Sequence, residues 1–265
     1  MKEVKIVFSD LDSTLTKEQG IIDIKNKAIF DKLANIGIPV VLNTGRSLTY
    51  TIPICKQFNT SNYVITSNGA EVYNFITKKM IYRSVISKEN LLKLDDLIKK
   101  YNLYFLANGI DKRYTNNLDD SVGFFVTESL SSIDDEIAQV VLESYDLDKM
   151  MNLRKDLEKD TDLLIANKTK HVENGKLLYY DLVNKDVSKG NALEILCNYL
   201  NIDVKSAMAI GDSDNDIDMF KKAGYPVAVA NASDNVKEYA KIVTLSNKQD
   251  GVFTILNELY SSLIK

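Results

Sequence analysis

The sequence predicts an α/β protein: a doubly wound, mostly parallel, Rossmann-like sheet core with an inserted α+β cap domain. Three observations carry this. Short apolar runs rich in β-branched residues alternate with amphipathic segments near both ends of the chain, parallel strands require such crossover helices, and the alternation breaks in the middle. At 265 residues the chain is long enough for one substantial core plus a smaller second body.

Residues 4–8 have the length and composition of a buried strand that stops at Ser9-Asp10. Ile29, Leu33 and Ile36 recur at helical spacing within residues 24–36, and Gly37 is placed to end that helix. Residues 38–42 predict a second strand, residues 47–58 a helix interrupted at Pro53, and residues 63–66 a third strand ending at Ser67-Asn68-Gly69. The same grammar returns later, with a helical stripe at Ala192, Ile195, Leu196, Tyr199 and Leu200 and a strand over residues 206–210 that stops at Gly211-Asp212. A short helix to Gly224, strands over residues 227–229 and 242–245, and a last helix burying Val252, Ile255, Leu256, Leu259 and Leu263 complete this half.

Between the halves come a hairpin-like stretch over residues 72–82, an amphipathic helix near residues 89–101 and short segments at residues 104–107 and 123–127. This middle predicts a compact cap over residues 83–184, with the core formed by residues 1–82 and 185–265. The cap is expected to close over the substrate by turning about its two connections.

Thirty-three Lys and Arg stand against 37 Asp and Glu, which offers no positive field for nucleic acid or an anionic membrane. The opening 15 residues reach an acidic cluster after only a short apolar run, and no segment is long enough to span a bilayer. Cys55 and Cys197 are too few for a disulfide framework or a cysteine zinc site. A cytoplasmic protein, monomeric or weakly homo-oligomeric, is the expectation.

Four strands expected side by side end in Asp10, Thr44, Ser67 and Asp212. In open α/β sheets the carboxyl edge is where ligands bind. Asp10-Leu11-Asp12 places two carboxylates where a strand breaks into a loop, and their repulsion suggests a cation. With hard oxygen donors from Asp212, Asp214 and Asp216 nearby, magnesium fits better than zinc or copper. The Asp10/Asp12 pair alone is equally compatible with capping the following segment. The run from Gly211 to Asp216 is not an EF-hand loop, because Ile217 and Ala223 stand where the turn Gly and the bidentate Glu belong; a simple polar helix start stays open. Lys189 opens a helix, where a cation opposes the helix dipole unless an anion is near. By itself it reads as a solvated surface lysine. No G-x-G-x-x-G spacing exists, and Lys170 replaces the first Gly of a P-loop before Gly175-Lys176. His171, the only histidine, reads as a surface residue, and Tyr50, Tyr179 and Tyr180 as packing residues.

Asp10-Leu11-Asp12-Ser13-Thr14-Leu15, Asn43-Thr44-Gly45-Arg46, Ser188-Lys189-Gly190 and Gly211-Asp212-Ser213-Asp214-Asn215-Asp216 together resemble the four motifs of the haloacid dehalogenase superfamily. Ser67-Asn68-Gly69-Ala70 and the large insertion resemble its Cof-type sugar-phosphatase branch. Ser13 departs from the family, which often has Gly after the second aspartate.

The resemblance implies a magnesium-dependent phosphatase acting on phosphate monoesters of small metabolites, sugar phosphates among them, through an aspartyl phosphate. Asp10 would be the nucleophile and Asp12 the acid and base. Magnesium would be held by Asp10, the backbone carbonyl of Asp12, and Asp212, with Asp216 supporting them. Thr44, Lys189 and Asn215 would hold the phosphoryl oxygens, and Gly45, Arg46 and Asn68 belong to the same substrate-binding motifs. A phosphomutase of the superfamily is the alternative, because the same intermediate can pass its phosphoryl group to a sugar hydroxyl. A non-catalytic phospholigand-binding protein is a further alternative from another class, although binding alone has no need for an acid-base carboxylate at Asp12.

Overall fold

The computed structural model describes residues 3–17, 21–119, 122–168 and 176–264. His171 and Lys170 lie outside the described residues. The strands in chain order are β1 Ile6–Ser9, β2 Val40–Asn43, β3 Tyr63–Thr66, β4 Glu71–Asn74, β5 Lys79–Arg83, β6 Tyr104–Asn108, β7 Arg113–Thr115, β8 Phe125–Val126, β9 Gln139–Ser144, β10 Leu163–Lys168, β11 Leu178–Asn184, β12 Ala207–Gly211, β13 Tyr225–Val229 and β14 Ile242–Thr244. The helices are α1 Ile24–Asn35, α2 Leu48–Phe58, α3 Lys88–Tyr101, α4 Leu147–Asp160, α5 Lys189–Tyr199, α6 Ile217–Lys222, α7 Asp234–Lys237 and α8 Gly251–Leu263. Two compact units result, one of residues 1–46, 50–82 and 188–265, the other of residues 83–187 together with residues 47–49.

The first unit holds an eight-stranded sheet in the order β14-β13-β12-β1-β2-β3-β4-β5. Its strands from β14 to β3 run parallel, and β4 returns antiparallel to β3. Every residue of β1, β2 and β12 is buried, as continuous apolar strands covered on both faces must be. One face packs Phe8, Val41, Ile65 and Ala209 against α5, α6 and α7. The opposite face carries Val7, Leu42, Val64 and Met208, with α1 and α8 against each other, against β2 and against β14.

The elements follow the sequence reading with instructive shifts. Helix α1 takes Asp23 as its cap, the carboxylate accepting from the Lys25 N–H, and Gly37 follows at φ +80°. Ile36 falls past the helix end and is exposed. In α5 the buried stripe is Ala192, Leu193, Leu196 and Cys197, whereas Tyr199 is exposed. The 100° helical step puts two adjacent positions on the covered face, which a reading by large residues alone misplaces. Pro53 is accommodated within α2.

The second unit holds a six-stranded sheet in the order β10-β11-β9-β6-β7-β8, antiparallel except between β7 and β8. Helices α3 and α4 bury Leu91, Leu94, Ile98, Met150, Leu153 and Leu157 with Phe105, Val140, Leu142 and Leu182 of the sheet. Ser87 and Asp146 cap these helices through Asn90 and Lys149 N–H groups, and Asn102 ends α3 in the left-handed region at φ +49°. Tyr180 packs against this core. Among the described residues no helix is long and apolar enough to cross a membrane.

Candidate active site

Strands β12, β1, β2 and β3 are neighbours, so Asp212, Asp10, Thr44 and Ser67 follow their carboxyl ends in one row. Asp10 leaves β1 with its N–H on the Ile210 carbonyl at 2.9 Å. Its side chain makes no capping bond to the turn that follows. Instead Asp10 Oδ1 accepts from Lys189 Nζ at 2.6 Å, and the capping alternative for Asp10 falls away.

The same Nζ donates to Asp216 Oδ1 at 2.7 Å. Lys189 is only 1% exposed, which corrects the surface reading. Helix α5 begins at Lys189 under the Ser188 cap, whose hydroxyl accepts from the Asn191 N–H. A cation at that position needs an anion, and two carboxylates provide it. Burial alone would lower the lysine pKa, but Asp10 and Asp216 outweigh it and the net shift is upward.

Asp216 is fully buried. Its Oδ2 accepts from the Asp212 and Ser213 N–H groups, both at 2.9 Å. Asp216 thus serves the polar helix start with one oxygen and Lys189 with the other. Asp212 accepts from Thr14 Oγ1 at 2.7 Å and from Ser213 Oγ at 2.8 Å. Ligand oxygens of Asp10, Asp212 and Asp216 lie within 4.8 Å of one another. Burial pushes the Asp10 pKa well above the carboxylate range; Lys189 opposes this, and Asp216 and Asp212 add to it. Ionised, three carboxylates around one ammonium leave two negative charges uncompensated in a buried place. A divalent cation with hard-oxygen preference fits that charge and donor set.

Asp12 turns elsewhere. Both its oxygens engage Arg46, through Nε and Nη2 at 2.6 Å each, and the guanidinium stacks 4.0 Å over the Tyr50 ring. Tyr50 is thus a partly exposed platform. The turn at Leu11–Leu15 puts Ser13 at φ +60°. That left-handed conformation costs a non-glycine residue about 1–2 kcal/mol, a physical reason for Gly at this position and for the compensating contacts Ser13 makes.

Thr44 is buried, its N–H bonded to the Ile65 carbonyl and its carbonyl accepting from the Asn68 N–H at 3.1 Å. Asn68, at φ +57°, accepts from Asn215 Nδ2 at 2.9 Å. Gly45 faces that amide so closely that a Cβ would lie 3.0 Å from its oxygen. Gly69 has φ +100°, and a Cβ there would be 2.2 Å from the Ser188 carbonyl oxygen. The loop after β3 thereby packs against the backbone that presents Lys189. The structure brings together Asp10, Lys189, Asp212 and Asp216, and separately Asn68 with Asn215 and Asp12 with Arg46.

Three contributors escaped the sequence reading. Thr14 ties the first motif to Asp212; Asn43 donates to the Lys189 carbonyl at 3.0 Å; and Glu71, 1% exposed, accepts from the Thr66 and Ser67 hydroxyls. Thr14 and Asn43 stand inside recognised motifs, but nothing in the spacing says which way they point.

A model of the haloacid dehalogenase-like hydrolase family matches residues 7–256. The chain belongs to that family, as its four motifs led one to expect. Among curated relatives it is similar to the 5-amino-6-(5-phospho-D-ribitylamino)uracil phosphatase YcsE of Bacillus subtilis, 29% identical over 261 residues that cover 94% of this chain and 93% of the relative. It is also similar to the phosphoglycolate phosphatase of Archaeoglobus fulgidus, 29% identical with 98% of each chain covered. A solved haloacid dehalogenase-like hydrolase from Bacteroides thetaiotaomicron superposes with a TM-score of 0.83 at 26% identity, covering 97% of this chain and 99% of that one.

Proposed function

We propose that this enzyme is a magnesium-dependent phosphatase that hydrolyses phosphate monoesters of small metabolites through an aspartyl phosphate, an acyl phosphate formed on Asp10. The observation that carries it is the buried bridge from Lys189 to Asp10 and Asp216 beside Asp212. Such a cluster is electrostatically incomplete without a cation, and a cation there would in turn attract an anionic phosphate. The names of the two relatives describe dephosphorylation of a phosphoribitylamino-uracil and of phosphoglycolate, both small organic phosphates, which supports that substrate class and sugar phosphates within it.

Asp10 and Asp212 would hold the magnesium with the Asp12 carbonyl, while Asp216, saturated by two N–H groups and Lys189, anchors the donors around it. When bound, the ion supplies positive charge that keeps Asp10 ionised and lessens its repulsion from an anionic phosphate. The Asp10 carboxylate attacks phosphorus, the bond to the ester oxygen breaks, and Asp12 gives a proton to the departing alcohol. Asp12 then takes a proton from water, which attacks phosphorus, frees Asp10 and releases inorganic phosphate. Lys189, Thr44 and Asn215 hold the phosphoryl oxygens, with Gly45, Arg46 and Asn68 keeping that cradle in place. Residues 83–184 act as the cap that selects the leaving group.

The test is to quench turnover with acid and measure phosphate covalently bound to the protein. Wild type should carry label that hydroxylamine removes, and Asp10→Asn should carry none. Label surviving in Asp10→Asn would assign the nucleophile to another residue. Transfer to an added sugar phosphate without inorganic phosphate release would assign a mutase.

A further inference from the structure

Six residues after the nucleophile, the chain has passed through a tight turn whose conformation decides where Asp12 stands. The Thr16 N–H closes the turn on the Leu11 carbonyl at 2.8 Å, and the Ser13 N–H reaches Thr16 Oγ1 at 3.2 Å. Ser13 itself is left-handed, a state that local preferences oppose. Contacts from outside the turn must therefore hold it.

Two asparagines do so from loops that follow other strands. Asn231, just after β13, donates from Nδ2 to the Ser13 carbonyl at 2.8 Å. Asn247, just after β14, donates from Nδ2 to the Thr16 carbonyl at 2.9 Å. The two are joined, since the Asn247 N–H donates to Asn231 Oδ1 at 2.9 Å. The result is one chain of amides that grips both ends of the segment Ser13 to Thr16. A third tie, from Thr14 Oγ1 to Asp212, fastens the middle of that segment to the carboxylate cluster.

Asp12 is the residue directly before this clamp. Asp10 is anchored differently, through its N–H on β12 and its carboxylate on Lys189. Loosening the clamp should therefore move Asp12 and leave Asp10 in place. We propose that Asn231 and Asn247 are positioning residues for Asp12, acting through the backbone of Ser13 to Thr16 to set the reach of the acid-base carboxylate. The proposal rests on the covalent phosphatase reading above.

The two steps that use Asp12 are protonation of the alcohol and deprotonation of water, and neither is the attack by Asp10. A displaced Asp12 should thus slow release of phosphate from the enzyme more than formation of the phosphoenzyme from an activated ester. Asn231→Asp and Asn247→Asp keep size and shape but cannot donate to the carbonyls. Ala at each position removes the side chain altogether, and thermal unfolding of all four variants checks that they fold.

The assay follows p-nitrophenyl phosphate, whose leaving group needs no proton, and β-glycerophosphate, whose leaving group does. Loss of one such hydrogen bond corresponds to about a fivefold effect. The expected result in folded variants is a kcat/KM lowered about fivefold or more for β-glycerophosphate and nearly unchanged for p-nitrophenyl phosphate. The fraction of enzyme carrying acid-trapped phosphate during p-nitrophenyl phosphate turnover should rise. Equal losses on both substrates, or an unchanged phosphoenzyme fraction, would mean a merely architectural clamp and overturn the proposal. Wild-type enzyme with no trapped phosphate at all would instead refute the covalent reading, so the two failures look different.

Discussion

Replacing Lys189 with Met keeps an unbranched side chain of similar length and removes the ammonium that bridges Asp10 and Asp216 at 2.6 and 2.7 Å. At an effective dielectric constant of about 20, each contact carries about 6 kcal/mol of attraction. The cost of taking an ammonium out of water, several kcal/mol, stands against it. Removing one partner of such a buried group leaves its carboxylates uncompensated, for a net loss of about 3–5 kcal/mol in metal-free protein. The pH dependence has a definite sign. Burial already holds the native Asp10 pKa above its unfolded value, and loss of the lysine raises it further. Such a group contributes stability below the unfolded pKa and loses it as pH rises through the native one. The deficit of Lys189→Met should therefore be larger at pH 7.5 than at pH 4, growing as pH rises through the raised native pKa. Urea unfolding of chelator-treated protein at both pH values reads this directly. Turnover should fall about 10²–10³-fold, as for loss of an oxyanion donor. Magnesium affinity measured by calorimetry should hold or tighten, because the lysine charge opposes the cation. Unchanged stability together with turnover above a tenth of wild type would refute the electrostatic account of this cluster.

Chelation should abolish turnover and magnesium should restore it; at 100 times its Kd the ion should add about 2.7 kcal/mol of stability near neutral pH, and full activity in metal-free enzyme would sink the metal assignment. Asp12→Asn should lose β-glycerophosphate turnover about 10²-fold or more while still forming phosphoenzyme from p-nitrophenyl phosphate; rapid-quench measurement checks it, and equal losses on both esters would argue against an acid role. Gly69→Ala should destabilise by about 2–5 kcal/mol, since its Cβ meets the Ser188 carbonyl and its φ is positive. A thermal midpoint within 2 °C of wild type would show that the loop after β3 yields more easily than its packing implies.

The site was legible in the sequence as a set of strand ends. Apolar runs stopping at Asp10, Thr44, Ser67 and Asp212 identify the carboxyl edge of a parallel sheet, because the strand period and the crossover rule are local consequences of the chain. The strand order β12-β1-β2-β3 then follows from doubly wound topology. Lys189 was not legible in the same way. A lysine at a helix start is ordinary at the surface, and only the packing of α5 against the sheet buries it between two carboxylates.

The same holds for the smaller supports. Hydrogen bonds of Asn43, Glu71, Asn231 and Asn247 join residues through side-chain directions that carry no sequence period. Asp12 shows the limit most sharply, for the motif names the residue, but its bond to Arg46 and the left-handed Ser13 beside it arise from contacts some 30 to 230 residues away in the chain. By itself the sequence determined which elements form and which polar residues stand at their ends, because propensity and apolar periodicity act over a few residues. Tertiary structure alone decided which of those polar groups meet, because burial and charge pairing depend on elements that only the assembled sheet and its helices bring together.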